Sequence, residues 1–105
     1  MLNQSRLMES IGQTWDRSIV PTLCEYIRIP NKSQAFDPQW AEHGYMDQAA
    51  ELMLEWCEAN ALPGMKSEIV RLPGRTPLLF VEIPAAHGGS NDDCILMYGH
   101  MDKQP

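Results

Sequence analysis

One apolar run near the end of the chain constrains the fold more than any other stretch. The run from Ile95 to Tyr98 contains no charged residue, follows the acidic pair Asp92 and Asp93, and ends at Gly99. A short apolar run without alternation is typical of a strand buried on both faces, and such strands belong to mainly parallel sheets covered by helices. The run therefore predicts an α/β fold in which this strand has neighbours on both sides.

A long helical segment is predicted at the start of the chain. From about Ser5 to Ile29 an apolar side chain recurs at every fourth residue, at Leu7, Ile11, Trp15, Ile19, Leu23 and Ile27. A stripe with this spacing drifts by roughly 40° per step around a straight α-helix. Because Pro21 lacks a backbone N–H, we expect a bend there, and we expect the helix to stop before Pro30.

A second helix follows an irregular loop. The loop runs from Asn31 to Glu42, and we expect Trp40 to anchor it. From about Tyr45 to Asn60 the apolar residues have the spacing of an amphipathic helix. They are Met46, Ala49, Ala50, Met53, Trp56 and Cys57.

The remaining sequence has the residue composition that is typical of strands. Met65 to Leu72 and Leu78 to Ile83 are joined by a short connection, so they should pair as an antiparallel hairpin. The apolar run after Cys94 would be a third strand. The predicted fold class is therefore α/β, with two N-terminal helices packed on a small mixed sheet. Because the third strand would keep one bare flank, we expect residues 1–105 to be the N-terminal piece of a longer protein. We expect the isolated piece either to form a homo-oligomer or to be only marginally stable.

Composition excludes several classes of function. At 105 residues the chain is one domain at most, and its net charge of −6 argues against nucleic-acid binding. There is no leader-like N-terminus and no apolar stretch long enough to cross a membrane. We therefore expect a soluble, cytoplasmic protein. The three cysteines, Cys24, Cys57 and Cys94, are odd in number, widely spaced and set in apolar segments, so in a reducing compartment we expect them to be small core residues.

The residues after the apolar run have the strongest pattern for a metal-binding site. His100 can bind a transition metal through one ring nitrogen while the other donates its N–H to a carboxylate, and Asp102 stands two residues further on. Ligands collect beyond the carboxyl ends of strands in sheets of this type. The plainer interpretation, a surface histidine hydrogen-bonded to a neighbouring aspartate, stays open on spacing alone.

Two stretches together resemble a known family. Ile95-Leu96-Met97-Tyr98-Gly99-His100-Met101-Asp102-Lys103-Gln104-Pro105 resembles the first metal-ligand motif of the dinuclear zinc peptidases and deacylases of the aminoacylase and carnosinase family. Leu23-Cys24-Glu25-Tyr26-Ile27-Arg28-Ile29-Pro30-Asn31-Lys32-Ser33 resembles the end of the first helix and the turn that opens these enzymes. The form of the first motif resembles the dipeptidase side of the family more than the acetylornithine or diaminopimelate deacylase side.

The resemblance implies a metallopeptidase. In such an enzyme His100 would be a ligand of one of two zinc ions. Asp102 would be a catalytic residue that orients the imidazole ring of His100. The substrate would be a dipeptide or an N-acyl amino acid. The chain lacks the family's other ligands, its general base and its dimerisation domain, so we expect these 105 residues alone to be inactive and to bind zinc weakly or not at all.

The other histidines show no pattern that indicates a metal or catalytic site. His43 and His87 lie in loop-like sequence beside glycine, and we expect both to be solvated. No separate cofactor-binding residues are predicted. The alternative to a hydrolase segment is a non-catalytic α/β interaction module that ends in a chance His-x-Asp.

Overall fold

The computed structural model of the chain describes all 105 residues. Four α-helices and two strands follow one another along it. The helices are α1 (Gln4–Thr14), α2 (Val20–Arg28), α3 (Trp40–His43) and α4 (Tyr45–Ala59), with a π-helical turn at Trp15–Ile19 between α1 and α2, and the strands are β1 (Lys66–Val70) and β2 (Leu78–Glu82). None of the helices has the length and the apolar content that crossing a membrane requires.

The long N-terminal helix is continuous but changes its hydrogen bonding before Pro21. The N–H of Val20 donates to the carbonyl of Trp15, five residues back, which is the bond of a π turn. Pro21 then lies in the first turn of α2, where a missing N–H is tolerated. We expected a bend here, and the structure has a π turn, one of the known causes of helix kinks. Ile29 is extended, with φ −78° and ψ 119°, so the predicted stop before Pro30 is confirmed.

Gly44 separates the short helix α3 from α4. Its φ of 71° lies in the left-handed region, so glycine is required for the chain to turn between the two helices. Helix α4 agrees with the sequence prediction to within one residue. Helix α3 was not predicted, because its four residues are too few to show a period. Just before the helix, Oδ1 of Asp37 accepts a hydrogen bond from the Gln39 N–H at 3.2 Å.

The hairpin forms as predicted and packs on α4. Strands β1 and β2 are antiparallel, with Lys66 opposite Glu82 and Val70 opposite Leu78. Just after β1, the guanidinium of Arg71 forms an ion pair with the Asp47 carboxylate of α4. The fold class is therefore confirmed as α/β, with helices packed against a small sheet, and that sheet has two antiparallel strands.

The predicted third strand is absent. The prediction of that strand, and of the mixed sheet that it would have completed, is therefore wrong. The segment Ile95–Tyr98 belongs to no strand, and its four side chains are 92%, 88%, 87% and 88% exposed. A strand needs a neighbour for its backbone N–H and C=O groups, and β1 and β2 pair only with each other. The only β-type pairing of this end of the chain is an isolated parallel bridge between Lys32 and Lys103.

Very little of the chain is buried. Four of 105 residues are buried, namely Met46, Ala49, Ala50 and the polar Asn31. The accessible surface is 8653 Å², whereas a compact monomer of this mass exposes roughly 6,000 Å². The radius of gyration is 16.4 Å, against about 13 Å for a compact domain of this length. The helices and the hairpin therefore leave a large apolar area uncovered.

Candidate functional site

His100 and Asp102 are paired, as their spacing suggested. The Nδ1–H of His100 donates to the Asp102 carboxylate, with 2.9 Å between Nδ1 and Oδ1, and Nδ1 also lies 3.0 Å from the Asp102 backbone oxygen. Both neighbours of Nδ1 are acceptors, so Nδ1 carries the proton of the neutral ring and Nε2 keeps a free lone pair. The imidazole is 66% exposed and the Asp102 side chain 34%.

The carboxylate also changes the acidity of the ring. The hydrogen bond to the Asp102 side chain, followed by the bond to its backbone oxygen and by its negative charge, raises the pKa of His100 above 6.5. A more basic imidazole is a stronger metal ligand once it is neutral.

The backbone around Asp102 is fixed by residues some seventy positions earlier in the chain. The Met101 carbonyl accepts hydrogen bonds from the Tyr26 hydroxyl and from the Asn31 side-chain amide, the latter at 3.0 Å. The Lys103 N–H donates to the Asn31 carbonyl at 2.9 Å, and the Ser33 N–H donates to the Lys103 carbonyl at 2.8 Å. The end of α2 and the turn after it thus hold the peptides on both sides of Asp102.

The Lys103 ammonium caps the C-terminal end of α2. It donates to the carbonyls of Tyr26 and Ile29 and, at 2.6 Å, to Oδ1 of Asn31. Nζ also lies 3.9 Å from the centroid of the Tyr26 ring. A cation at a helix C-terminus satisfies carbonyls that have no partner within the helix and interacts favourably with the helix dipole.

Sequence reasoning missed this cluster of Tyr26, Asn31 and Lys103. The stretches that contain them were recognised, but the three side chains were given no role. Burial raises the pKa of the Tyr26 phenol; the hydrogen bond from Asn31 opposes this rise and the Asp102 charge adds to it. The only available signal was a lysine beside the His-x-Asp pair, and spacing does not reveal a partner more than seventy residues away.

A cleft of about 560 Å³ lies beside the histidine. Helix α4 contributes Met46, Met53 and Trp56 to it, and the hairpin contributes Leu79. His100 and Asp102 line the same cleft, together with Tyr98, Gly99 and Met101. The histidine is therefore next to a space that is lined by both apolar and polar side chains and is large enough for a small substrate.

A second histidine, His43, is also paired with an aspartate through Nδ1, but it lies away from the cleft. The Nδ1 of His43 lies 2.8 Å from Oδ2 of Asp37, and its ring is 42% exposed. His43 was expected to be solvated, and it is partly exposed but paired. It does not line the cleft. His87, the third histidine, is exposed, as expected.

The donor set is too small for a complete metal site. No group of three or more His, Cys, Asp or Glu side chains is placed to hold an ion, whereas zinc sites use three or four protein ligands. All three cysteines are free thiols, and Cys24 and Cys94 are exposed, so the prediction that the cysteines are core residues is wrong for these two. Only Cys57 lines the cleft. Burial, and to a lesser extent the charge of Glu58, raises the pKa of Cys57, which disfavours the thiolate that a metal binds. His100 and Asp102 thus fit one ligand and its orienting carboxylate.

No known family model matches this chain, and no curated protein matches it. The functional argument therefore rests on the residues and contacts described above.

Proposed function

We propose that this chain is the N-terminal part of the catalytic domain of a zinc-dependent hydrolase that cleaves amide bonds of dipeptides or N-acyl amino acids. The observation that carries the proposal is the contact between the two stretches that resemble the zinc peptidases. Tyr26 and Asn31 of the first stretch bind Met101 and Lys103 of the second. Two motifs that meet in space are better support for a shared site than two motifs that merely occur in one sequence.

The geometry of His100 supports its role as a ligand. Its Nδ1 is engaged by Asp102, and Nε2 is left with a lone pair on an exposed ring beside the cleft. Ligating histidines almost always make this kind of contact through the second nitrogen. In this proposal Asp102 fixes the tautomer and orientation of His100 and does not bind the metal itself.

The remaining ligands and the general base would come from protein groups beyond these residues. The low burial of the chain supports that requirement, since a large apolar area is free to be covered by further structure. Bound zinc would supply a Lewis acid and an activated water to the amide hydrolysis. We propose a cytoplasmic enzyme, in keeping with three unpaired cysteines.

The test is an assay of the complete gene product for dipeptide hydrolysis, with and without a chelator. We expect chelation to abolish activity and His100→Ala to do the same. The matched control is His43→Ala, which removes an equally paired histidine that does not line the cleft. Activity that survives both chelation and His100→Ala would refute the proposal.

Asp102→Asn refines the assignment. The amide keeps the size of the side chain but removes the charge that raises the basicity of His100. We expect a loss of about 10- to 100-fold in activity or metal affinity, the usual cost of changing the partner of a ligating histidine. Unchanged kinetics and metal affinity would show that Asp102 has no orienting role.

A second candidate function is supported by a different observation. The segment Ile95–Tyr98 exposes four large apolar side chains in a row, which marks an association surface. The chain could then be a non-catalytic α/β interaction module. This alternative predicts that the complete gene product shows no chelator-sensitive hydrolysis and that His100→Ala leaves its association with partners unchanged.

A further inference from the structure

We propose that Lys103 is the positioning residue of the site, and that it sets the geometry of the His100 and Asp102 pair through Asn31 and the end of α2. The importance of that pair for a metal rests on the proposed function. The coupling of Lys103 to His100 does not, because it can be measured on the chain without metal or substrate.

The first step is the orientation of the Asn31 amide. Oδ1 of Asn31 accepts a hydrogen bond from the Lys103 ammonium at 2.6 Å, and Nδ2 donates to the Met101 carbonyl at 3.0 Å. An ammonium has no acceptor, so it can bind only the oxygen of the amide. Lys103 therefore determines that the NH₂ group faces Met101. Asn31 is only 1% exposed, so water has little access to replace either bond.

The second step is the fixation of Asp102. The peptide before it is held at the Met101 carbonyl by Asn31 and Tyr26. The residue after it, Lys103, is held through both its backbone N–H and its backbone carbonyl. Asp102 stands between two anchored points, which fix its backbone and so the Cα–Cβ direction from which its carboxylate reaches His100.

The third step explains why a lysine suits this position. Nζ meets three oxygen acceptors and the face of an aromatic ring, and an ammonium offers three N–H donors and a full charge to that environment. A neutral side chain of similar length would leave two carbonyls and Oδ1 of Asn31 without this donor. Lys32 forms the neighbouring backbone bridge, but its exposed ammonium donates no such bonds.

The experiment reads the tautomer of His100 directly. The chain is labelled with ¹⁵N, and the ring nitrogens of wild type, Lys103→Met and Lys32→Met are compared by NMR at a pH where the imidazole is neutral. In wild type and in Lys32→Met we expect His100 with the proton on Nδ1. In Lys103→Met we expect the two ring ¹⁵N signals of His100 to move toward each other as the two tautomers mix. The signals of His43 serve as an internal reference and should not move.

Asn31→Ala provides a second variant that keeps the ammonium at the helix end. It removes the amide that links Lys103 to Met101, so it should shift the His100 signals in the same direction while helix content by circular dichroism is retained. A wild-type His100 tautomer in both Lys103→Met and Asn31→Ala would overturn the proposal. That result would not contradict the proposal that the complete protein is a hydrolase. Conversely, a complete protein without hydrolase activity would not contradict the coupling of Lys103 to His100.

Discussion

The ring of Tyr26 lies beneath the ammonium of Lys103, with 3.9 Å between its centroid and Nζ, although the two residues are 77 positions apart. The phenol hydroxyl separately donates to the Met101 carbonyl. Two substitutions distinguish these contacts. Tyr26→Phe removes only the hydrogen bond and should lower the free energy of unfolding by about 1 kcal/mol.

Tyr26→Ala also removes the ring and should cost at least about 0.5 kcal/mol more. Both values come from urea unfolding followed by circular dichroism. Tyr98→Phe is the matched control, because Tyr98 is 88% exposed, and it should leave stability unchanged. Equal stabilities for Tyr26→Phe and Tyr26→Ala would show that the ring under Lys103 contributes nothing.

Two glycine substitutions should change stability in opposite directions. Gly64 has a φ of 77°, and an added Cβ would lie 2.8 Å from Cγ of Pro84, so Gly64→Ala should destabilise the chain by about 1 kcal/mol or more. Gly12 lies inside α1 with no atom within 4 Å of an added Cβ, so Gly12→Ala should stabilise it by about 0.5 to 1 kcal/mol. Thermal or urea unfolding measures both. A stabilising Gly64→Ala would contradict the turn geometry.

The pair of His100 and Asp102 should make stability depend on pH near neutrality. Asp102 raises the pKa of His100 above 6.5 in the folded chain. A raised folded pKa contributes stability that is fully present below the unfolded value and is lost as the pH rises through the folded value. The stability of wild type relative to His100→Gln should therefore fall as the pH increases from about 5 to 8.

Unfolding curves at several pH values give that difference, and an NMR titration gives the pKa itself. In Asp102→Asn the pKa of His100 should move down toward 6.5, and the pH dependence should flatten. A His100 pKa that is the same in wild type and in Asp102→Asn would show that the hydrogen bond is not maintained in solution.

The exposed segment Ile95–Tyr98 should drive association of the chain. Leu96 is 88% exposed, and its neighbours are similarly bare. Leu96→Glu introduces a charge into this surface and should weaken concentration-dependent self-association by at least about tenfold, which corresponds to roughly 1.4 kcal/mol. Sedimentation velocity over a range of concentrations measures it. Leu2→Glu, at a residue that is 82% exposed outside the segment, should have no comparable effect. A monomeric wild type at every concentration would refute this prediction.

Local patterns in the sequence predicted the local parts of the structure. The spacing of apolar residues located α4, and the short connection between two β-rich stretches predicted the hairpin. The two-residue spacing of His100 and Asp102 made their contact predictable, because both residues belong to one short segment. Each of these features depends on residues that are near one another in sequence.

The features that could not be predicted depend on distant partners. The apolar composition of Ile95–Tyr98 indicates a strand, but composition does not supply the neighbouring strand that its backbone requires, and none is present. Likewise nothing local to Lys103 indicates that its ammonium binds the end of α2. Long-range contacts of this kind become visible only when the chain is folded.

The π turn at Trp15–Ile19 sets the rotational phase of everything that follows it on the same helix. Such a turn accommodates one residue more than an α-helical turn would, so the same residues arranged as regular α-helix would not keep the later part of the helix in phase with α1. The helix would survive, but each later side chain would rotate by about 100° relative to α1. Tyr26 would then be directed away from Lys103, and the His100 segment would lose its anchor without any change in the residues that contact it.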